Sequence, residues 1–373
     1  MKSLTSKSIE KLIPYPPGKP IEELERELGI TGSIKLASNE NPLGPSPLAV
    51  KAIQGELNRL NRYPDGSGYY LKARLSDFLG LPQERIIIGN GSNELIELVI
   101  RTFIQREDHV IQAFPTFLVY EKVVMASGAE LQSIPLRNFR LDLDLILGAV
   151  NDRTKVIFIN NPNNPTGTAL LKHEVEEFLK VLPKDILIVL DEAYIDFVSD
   201  PDVANGRELL DMFPRILVLR TFSKLYGLAG LRVGYGFADE AIIDYMNRVR
   251  QPFNVNTLAQ AGAKAALDDT DFVSRTLNLT RKGLAYLYDE LDKLKLEYLP
   301  TQTNFMLIKV RPGGEQIYQQ MLKQGVIVRS MDSYGLNEYI RINVGLPEEN
   351  ERFVKALRRV LAQEEITPGN ETK

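Results

Sequence analysis

The sequence predicts an α/β protein: a doubly wound, mostly parallel sheet in a large domain, with a smaller α+β domain attached. Three observations carry this. Six short β-branched runs in the middle of the chain are apolar almost throughout, as strands covered on both faces must be. Amphipathic helical segments alternate with them, the pattern of βα units rather than hairpins. From about residue 272 the rhythm changes to one long helical repeat, three strand-like runs and a closing helix.

Taken in order, residues 1–40 form a proline-rich arm (PYPPGKP) and a short helix, IEELERELGI, expected to pack with the small domain. Residues 41–271 make the large domain. Its strands are RIIIG (85–89), HVIQA (109–113), KVIFI (155–159), ILIVL (186–190), ILVLR (216–220) and VGYGF (233–237). NELIELVIRTF (93–103) and KHEVEEFLKVL (172–182) recur apolar at helical spacing between them. Residues 272–373 make the small domain, with the helical LNLTRKGLAYLYDELDKL and the strands NFMLIKV (304–310), GVIVR (325–329) and YIRINVG (339–345). The helix EENERFVKALRRVLAQ follows, and the last residues, EEITPGNETK, are expected to fray.

Composition removes several function classes. The 373 residues carry a net charge of −4 with no basic block, so the footprint of a nucleic-acid binder is missing. With no cysteine there is no disulfide, thiolate metal site or cysteine nucleophile. Two histidines, His109 and His173, are too few for a zinc cluster, and no metal is expected. His173 reads as an exposed helix start and His109 as structural. No apolar run reaches the ~20 residues needed to span a bilayer, and the N-terminus has neither a signal core nor a transit pattern. The chain is expected to be cytoplasmic.

The residues that carry chemistry fall at strand ends, where open α/β sheets bind ligands. GNGSNE (89–94) joins a strand to a helix start, and its glycines and free amides suit a phosphate. It also reads as a plain capped turn, and it is neither a Walker A loop nor G-x-G-x-x-G. ILIVLDEAY (186–194) puts Asp191 directly after a buried strand, as a helix cap or as an acid holding a cationic nitrogen, with the phenol of Tyr194 nearby. A Walker B role fails for want of Walker A. NNPNNPTG (160–167) reads as a turn, yet it can place the Asn164 amide beside Asp191.

TFSKLYGLAGLRVGYG (221–236) sets Lys224 among the hydroxyls of Thr221 and Ser223, with Arg232 eight residues on. Lysine shifts its pKa readily on desolvation, which suits Schiff-base chemistry. A phosphate site, a protonated ring nitrogen, a phenolic oxygen and an imine-forming lysine together describe pyridoxal 5′-phosphate.

NPTG, D-x-x-Y and S-K with an arginine eight residues on resemble the fold-type I aminotransferases that use this cofactor. Within them the chain resembles the histidinol-phosphate aminotransferase subfamily, through PYPPGKPIEELERELG, KLASNENPLGPSP, RYPDG, GNGSNE, VIVRS and YIRINVG. The resemblance implies that Lys224 bonds the cofactor and later moves the proton, and that Asp191 pairs with the pyridinium nitrogen. It gives the 3-hydroxyl to Tyr194 and Asn164. The phosphate goes to Ser223, Arg232 and the amides of Gly91 and Ser92, with Thr221. Phe117 stacks on the ring, where many relatives carry tyrosine. Tyr63 of RYPDG reaches the phosphate from a neighbouring subunit, which implies a homodimer with shared sites.

By the same resemblance Arg341 grips the anionic end of the substrate, Arg329 lies near its phosphate, and Tyr15 of the arm helps close the pocket; read without it, either arginine is a surface ion pair. The implied reaction is ping-pong transfer of the amino group of L-histidinol phosphate to 2-oxoglutarate, giving imidazole acetol phosphate and glutamate in histidine biosynthesis. An aromatic amino-acid aminotransferase and a phosphothreonine decarboxylase share these motifs. A non-catalytic regulator that binds the cofactor is the reading from another class; every part of the chain is already assigned to the enzyme fold.

Overall fold

In a computed structural model, residues 4–14 and 17–366 are described. The twelve strands in chain order are β1 (Ile34–Lys35), β2 (Ile86–Gly89), β3 (His109–Phe114), β4 (Glu130–Pro135), β5 (Thr154–Asn160), β6 (Leu187–Asp191), β7 (Ile216–Thr221), β8 (Gly234–Phe237), β9 (Phe305–Lys309), β10 (Val326–Ile327), β11 (Arg329–Ser330) and β12 (Tyr339–Asn343). Seven of them form the main sheet in the order β2-β8-β7-β6-β5-β3-β4. Only β8 runs antiparallel to its neighbours, so the expected doubly wound, mostly parallel sheet is present.

All six central runs are strands, shifted by a residue or so at their ends. β4 was not legible in the sequence. It is one of the two edge strands, its sequence ELQSIP is largely polar, and most of its residues are exposed or half-buried, unlike β2 at the other edge, which is buried. An edge strand covered on one face needs no apolar run.

Side-chain alternation divides the sheet between two cores. Ile157 and Ile159 of β5, Ile188 and Leu190 of β6, and Ile216 and Val218 of β7 enter one cluster. Val156 and Phe158, Leu187 and Val189, and Leu217 and Leu219 enter the other, with helix Ser92–Phe103 and Tyr120. The same parity sends Asp191 and Thr221 to the second face, and Glu192 and Arg220 to the first.

The C-terminal part has its own core around a three-stranded sheet, β11-β12-β9. The helices Thr270–Lys293, Gly314–Lys323 and Pro347–Ile366 accompany it. The run 325–329 is split in two: β10 pairs in parallel with β1, while β11 pairs with β12. In the arm, Leu24 of helix Ile21–Leu28 packs with Ala37, Leu322 and Ile327. The short helix Lys7–Glu10 lies instead against helix Val119–Ser127 of the larger unit. Among the described residues no helix is long and apolar enough to cross a membrane.

Candidate functional site

One cavity of about 360 Å³ opens beyond the carboxyl ends of β5, β6 and β7. Lys224, Asp191, Tyr194, Asn164, Thr221, Ser223, Arg232, Ser92, Phe117, Arg329 and Arg341 all line it. Tyr15 lies outside the described residues.

Asp191 is the last residue of β6 and is 2% exposed. Its Oδ2 accepts a hydrogen bond from the Tyr120 hydroxyl at 2.6 Å, and its Oδ1 accepts the Ala193 amide at 3.1 Å. Burial pushes its pKa up to about 6, against the pull of these two donors. At that value the acid is still mostly ionised at neutral pH, the charge state that a partner for a cationic ring nitrogen needs. The helix-cap reading is replaced: no regular α-helix starts at Asp191, and a 3₁₀ turn, Ile195–Phe197, follows instead.

Lys224 lies in the loop after β7. Its Nζ donates to the carbonyl of Ser38 at 3.0 Å and sits 5.8 Å from the centre of the Tyr194 ring. Burial, and then the positive charge of Arg341, lower its pKa to about 7. A lysine of this kind offers a neutral amine at physiological pH, the nucleophile that imine chemistry needs.

At one end of the cavity, helix-start backbone and one guanidinium come together, as a phosphate site requires. Gly91 has φ +76°, and a Cβ there would stand 2.6 Å from Nη2 of Arg232. A Cβ on Gly234 would stand 2.6 Å from the Ser92 nitrogen, so glycine is needed on both sides of the loop. The Gly91 amide itself donates to the Gly89 carbonyl at 2.8 Å. The anion is left the first-turn amides of helix Ser92–Phe103, which a helix does not satisfy internally. Gly91 contributes its missing side chain. Arg232 Nη1 reaches Ser223 Oγ at 3.5 Å, and Thr221 Oγ1 accepts the Ser223 amide at 3.1 Å.

A denser polar network joins Tyr194 and Asn164 to the segment after β1 and to β12 of the C-terminal unit. The Tyr194 hydroxyl receives Asn39 Nδ2 at 2.9 Å and Asn164 Nδ2 at 3.4 Å. Arg341, 6% exposed, donates to Asn164 Oδ1 and to the Ala37 carbonyl, and its Nε has no partner. An orphaned guanidinium N–H in a cavity wall fits an anionic ligand. Arg329 stands opposite Arg341 in the β11–β12 register.

Phe117 packs edge-on against Tyr120 with ring centroids 5.7 Å apart. Tyr63 is not brought to this cavity by its own chain; it is 83% exposed and stacks on Phe253 at 4.8 Å.

Sequence reasoning missed Asn39, Tyr120, Lys35 and Glu40. Asn39 carried a signal: an asparagine directly after the small Ala37 and Ser38 in LASNEN, here at φ 54° with its main-chain amide donating to Asn343 Oδ1. Lys35 and Glu40 form an ion pair of 3.2 Å in the cavity wall. Tyr120 was indistinguishable from a core aromatic.

Arginine and first-turn amides for a phosphate, a carboxylate for a ring nitrogen, two amides around a phenol and a lysine of depressed pKa fit pyridoxal phosphate. No group of His, Cys, Asp and Glu able to hold a metal occurs among the described residues.

Comparison with known proteins gives the same direction. The sequence profile of the family described as aminotransferase class I and II matches residues 31–357. Histidinol-phosphate aminotransferase 1 of Nitrosococcus oceani is 46% identical over 360 residues, 96% of this chain and 97% of its own. Histidinol-phosphate aminotransferase of Desulfotalea psychrophila is 49% identical over 362 residues, 95% of each chain. The crystal structure of histidinol-phosphate aminotransferase from Sinorhizobium meliloti in complex with pyridoxal-5′-phosphate superposes with a TM-score of 0.89 at 27% identity. It covers 97% of this chain and 98% of that one.

Proposed function

Because the chain belongs to the class I and II aminotransferases, and is similar along its length to histidinol-phosphate aminotransferases, we propose that it transfers the amino group of L-histidinol phosphate to 2-oxoglutarate. The observation that carries this reading is one cavity lined at once by Lys224, Asp191 and two arginines from neighbouring strands.

Pyridoxal phosphate, when bound, supplies the electron sink that lets the α-proton of an amine leave. Every other part belongs to the chain. Arg232, Ser223, Thr221 and the amides from Ser92 onward hold the phosphate. Asp191 keeps the ring nitrogen protonated, Tyr194 and Asn164 orient the 3-hydroxyl, and Phe117 covers a ring face. Lys224 would be the residue that bonds the cofactor, and its amine, neutral above pH about 7, suits the role of base at the substrate α-carbon. Arg341 and Arg329 bind the anion of either substrate, phosphate in one half-reaction and carboxylate in the other, since a guanidinium fork accepts both.

A homodimer completes this reading. Leu57, Leu60, Tyr63, Tyr69, Tyr70 and Phe253 are all large and exposed. Tyr63 and Tyr70 line one groove with Arg59 and Lys264. Such a patch favours a second copy, and Tyr63 then extends toward the partner's phosphate site.

The test is titration of the cofactor-loaded protein with L-histidinol phosphate, read in the near-visible absorption of the lysine-linked cofactor, with phenylalanine in parallel. Loss of the band at low histidinol phosphate alone supports the assignment. Stronger turnover of phenylalanine replaces it with the aromatic reading, and absence of any such band removes Lys224 from the chemistry.

A further inference from the structure

We propose that Tyr120 is a positioning residue for the cofactor's ring nitrogen: its hydroxyl fixes the orientation and charge state of the Asp191 carboxylate. This rests on the reading of Asp191 as the partner of that nitrogen.

Tyr120 lies in helix Val119–Ser127 and has no exposed surface. Its ring stacks on Phe158 of β5 with centroids 4.5 Å apart and planes 6° from parallel. Its edge meets Phe117, the ring expected to cover the cofactor. Held on both sides, the phenol has little freedom, and its hydroxyl donates to Asp191 Oδ2 at 2.6 Å. Tyr120 thus touches both side chains expected to hold the heterocycle, one at its nitrogen and one at its face.

A carboxylate offers about four lone-pair sites. Among the described residues the donors to Asp191 are Tyr120 on Oδ2 and the Ala193 amide on Oδ1. The remaining lone pairs have no donor from the described residues, and Asp191 lines the cavity. The neighbouring elements add other polar groups. β5 supplies Asn160, whose amide donates to the Asp191 main-chain carbonyl at 3.1 Å. Tyr194 follows β6, and Lys224 and Arg232, from beyond β7, share the cavity.

Burial works against ionisation of Asp191, and Tyr120 is the first of the two donors that oppose it. A hydrogen bond donated to the charged form favours that form. The phenol stays a donor, because burial and then the adjacent charge push its own pKa well above the usual 10. Without the hydroxyl, Asp191 is left in the same apolar surroundings with one donor, and protonates at a higher pH. A neutral acid no longer holds a proton on the ring nitrogen by charge.

The test uses the cofactor-loaded Tyr120→Phe variant, with two readouts. The acid limb of kcat/KM is expected to move up by about one unit from near 6, so activity at pH 6.5 falls roughly threefold more than at pH 8.5, and at pH 5 approaches tenfold more. With ¹⁵N-labelled pyridoxal phosphate, the ring-nitrogen resonance is expected to change from its protonated to its unprotonated position at a higher fraction of sites near neutral pH. A uniform loss at all pH values, with the ring nitrogen unchanged, overturns the proposal and leaves Tyr120 a packing residue. Should Y120F fail to fold, 3-fluorotyrosine placed at 120, a stronger donor of nearly the same shape, is expected to move the limb down; an unmoved limb again overturns it. If wild-type protein takes up no cofactor, it is the reading of the site that fails; if it does and only the pH limb stays fixed, this inference fails alone.

Discussion

Arg329 and Arg341 are direct cross-strand partners, one on β11 and one on β12, and both line the cavity. Like charges directly opposite one another in a sheet are destabilising unless something lies between them. Arg341 is held to Asn164 and to the Ala37 carbonyl, so it cannot swing away to relieve the repulsion. An anion in the cavity they line would meet both guanidiniums, which is the role proposed for them.

Inorganic phosphate is therefore expected to raise the Tm of the wild-type protein, and to do so much less in Arg329→Ala and Arg341→Ala. At a hundredfold excess over its Kd the stabilisation is about 2.7 kcal/mol. Arg341→Lys is expected to cut kcat/KM for both substrates by ~10²-fold, because one ammonium cannot hold Asn164, the Ala37 carbonyl and a ligand together. Equal phosphate stabilisation in all three proteins would remove the anion site from this sheet.

Reaction of cofactor-free protein with pyridoxal phosphate is expected to accelerate as pH rises through about 7 and then level off. The neutral amine is the nucleophile, and Lys224 loses its proton near that pH. Borohydride trapping followed by peptide mass mapping should place the cofactor on Lys224 alone, with none in Lys224→Ala. The linkage has a stability counterpart. The folded pKa is depressed from 10.5 to about 7, so between those values the unfolded chain binds more protons and stability rises with pH. Lys224→Met in the cofactor-free protein is expected to flatten that slope and to raise the Tm at pH 7 by about 3 °C or more.

Gly91→Ala is expected to weaken cofactor binding by about 10–100-fold while leaving the fold intact. The added methyl meets the Arg232 guanidinium, which must leave its place, and the residue must keep a left-handed φ of +76°. Equilibrium dialysis against pyridoxal phosphate measures this. Unchanged affinity would mean that Arg232 does not hold the phosphate.

Glu192 and Arg220 form a buried pair on the face of the sheet opposite Asp191, at 2.8 Å, with side chains 0% and 10% exposed. Arg220→Met leaves a buried carboxylate with the Gly206 amide but no cation, and is expected to cost ~3–5 kcal/mol in urea unfolding. Replacing both, as Glu192→Leu with Arg220→Met, should cost clearly less than the single change. A loss below about 1 kcal/mol in the single variant would show that water reaches the pair.

Mixing Lys224→Ala chains with Tyr63→Ala chains, after unfolding and refolding together, is expected to recover activity that neither has alone. If Tyr63 serves the partner's site, each mixed dimer holds one intact site, and random pairing gives about a quarter of wild-type activity. No recovery would place Tyr63 outside the shared site.

What the sequence alone determined is the parallel sheet and the chemistry along its carboxyl edge. Buried parallel strands must be apolar on both faces, and motif residues that follow such strands are held in place by the backbone itself. Asp191, Lys224 and the glycines of GNGSNE were legible for that reason. Tertiary structure alone decided the rest. β4 was silent because an edge strand can be polar. Tyr120 and Asn39 acquire roles only from what they touch, and all three contacts join residues distant in the chain: Tyr120 to Asp191, and Asn39 to Tyr194 and Asn343. The opposition of Arg329 and Arg341 depends on the register of two strands. The depressed pKa of Lys224 depends on burial and on Arg341, which a one-dimensional pattern does not contain.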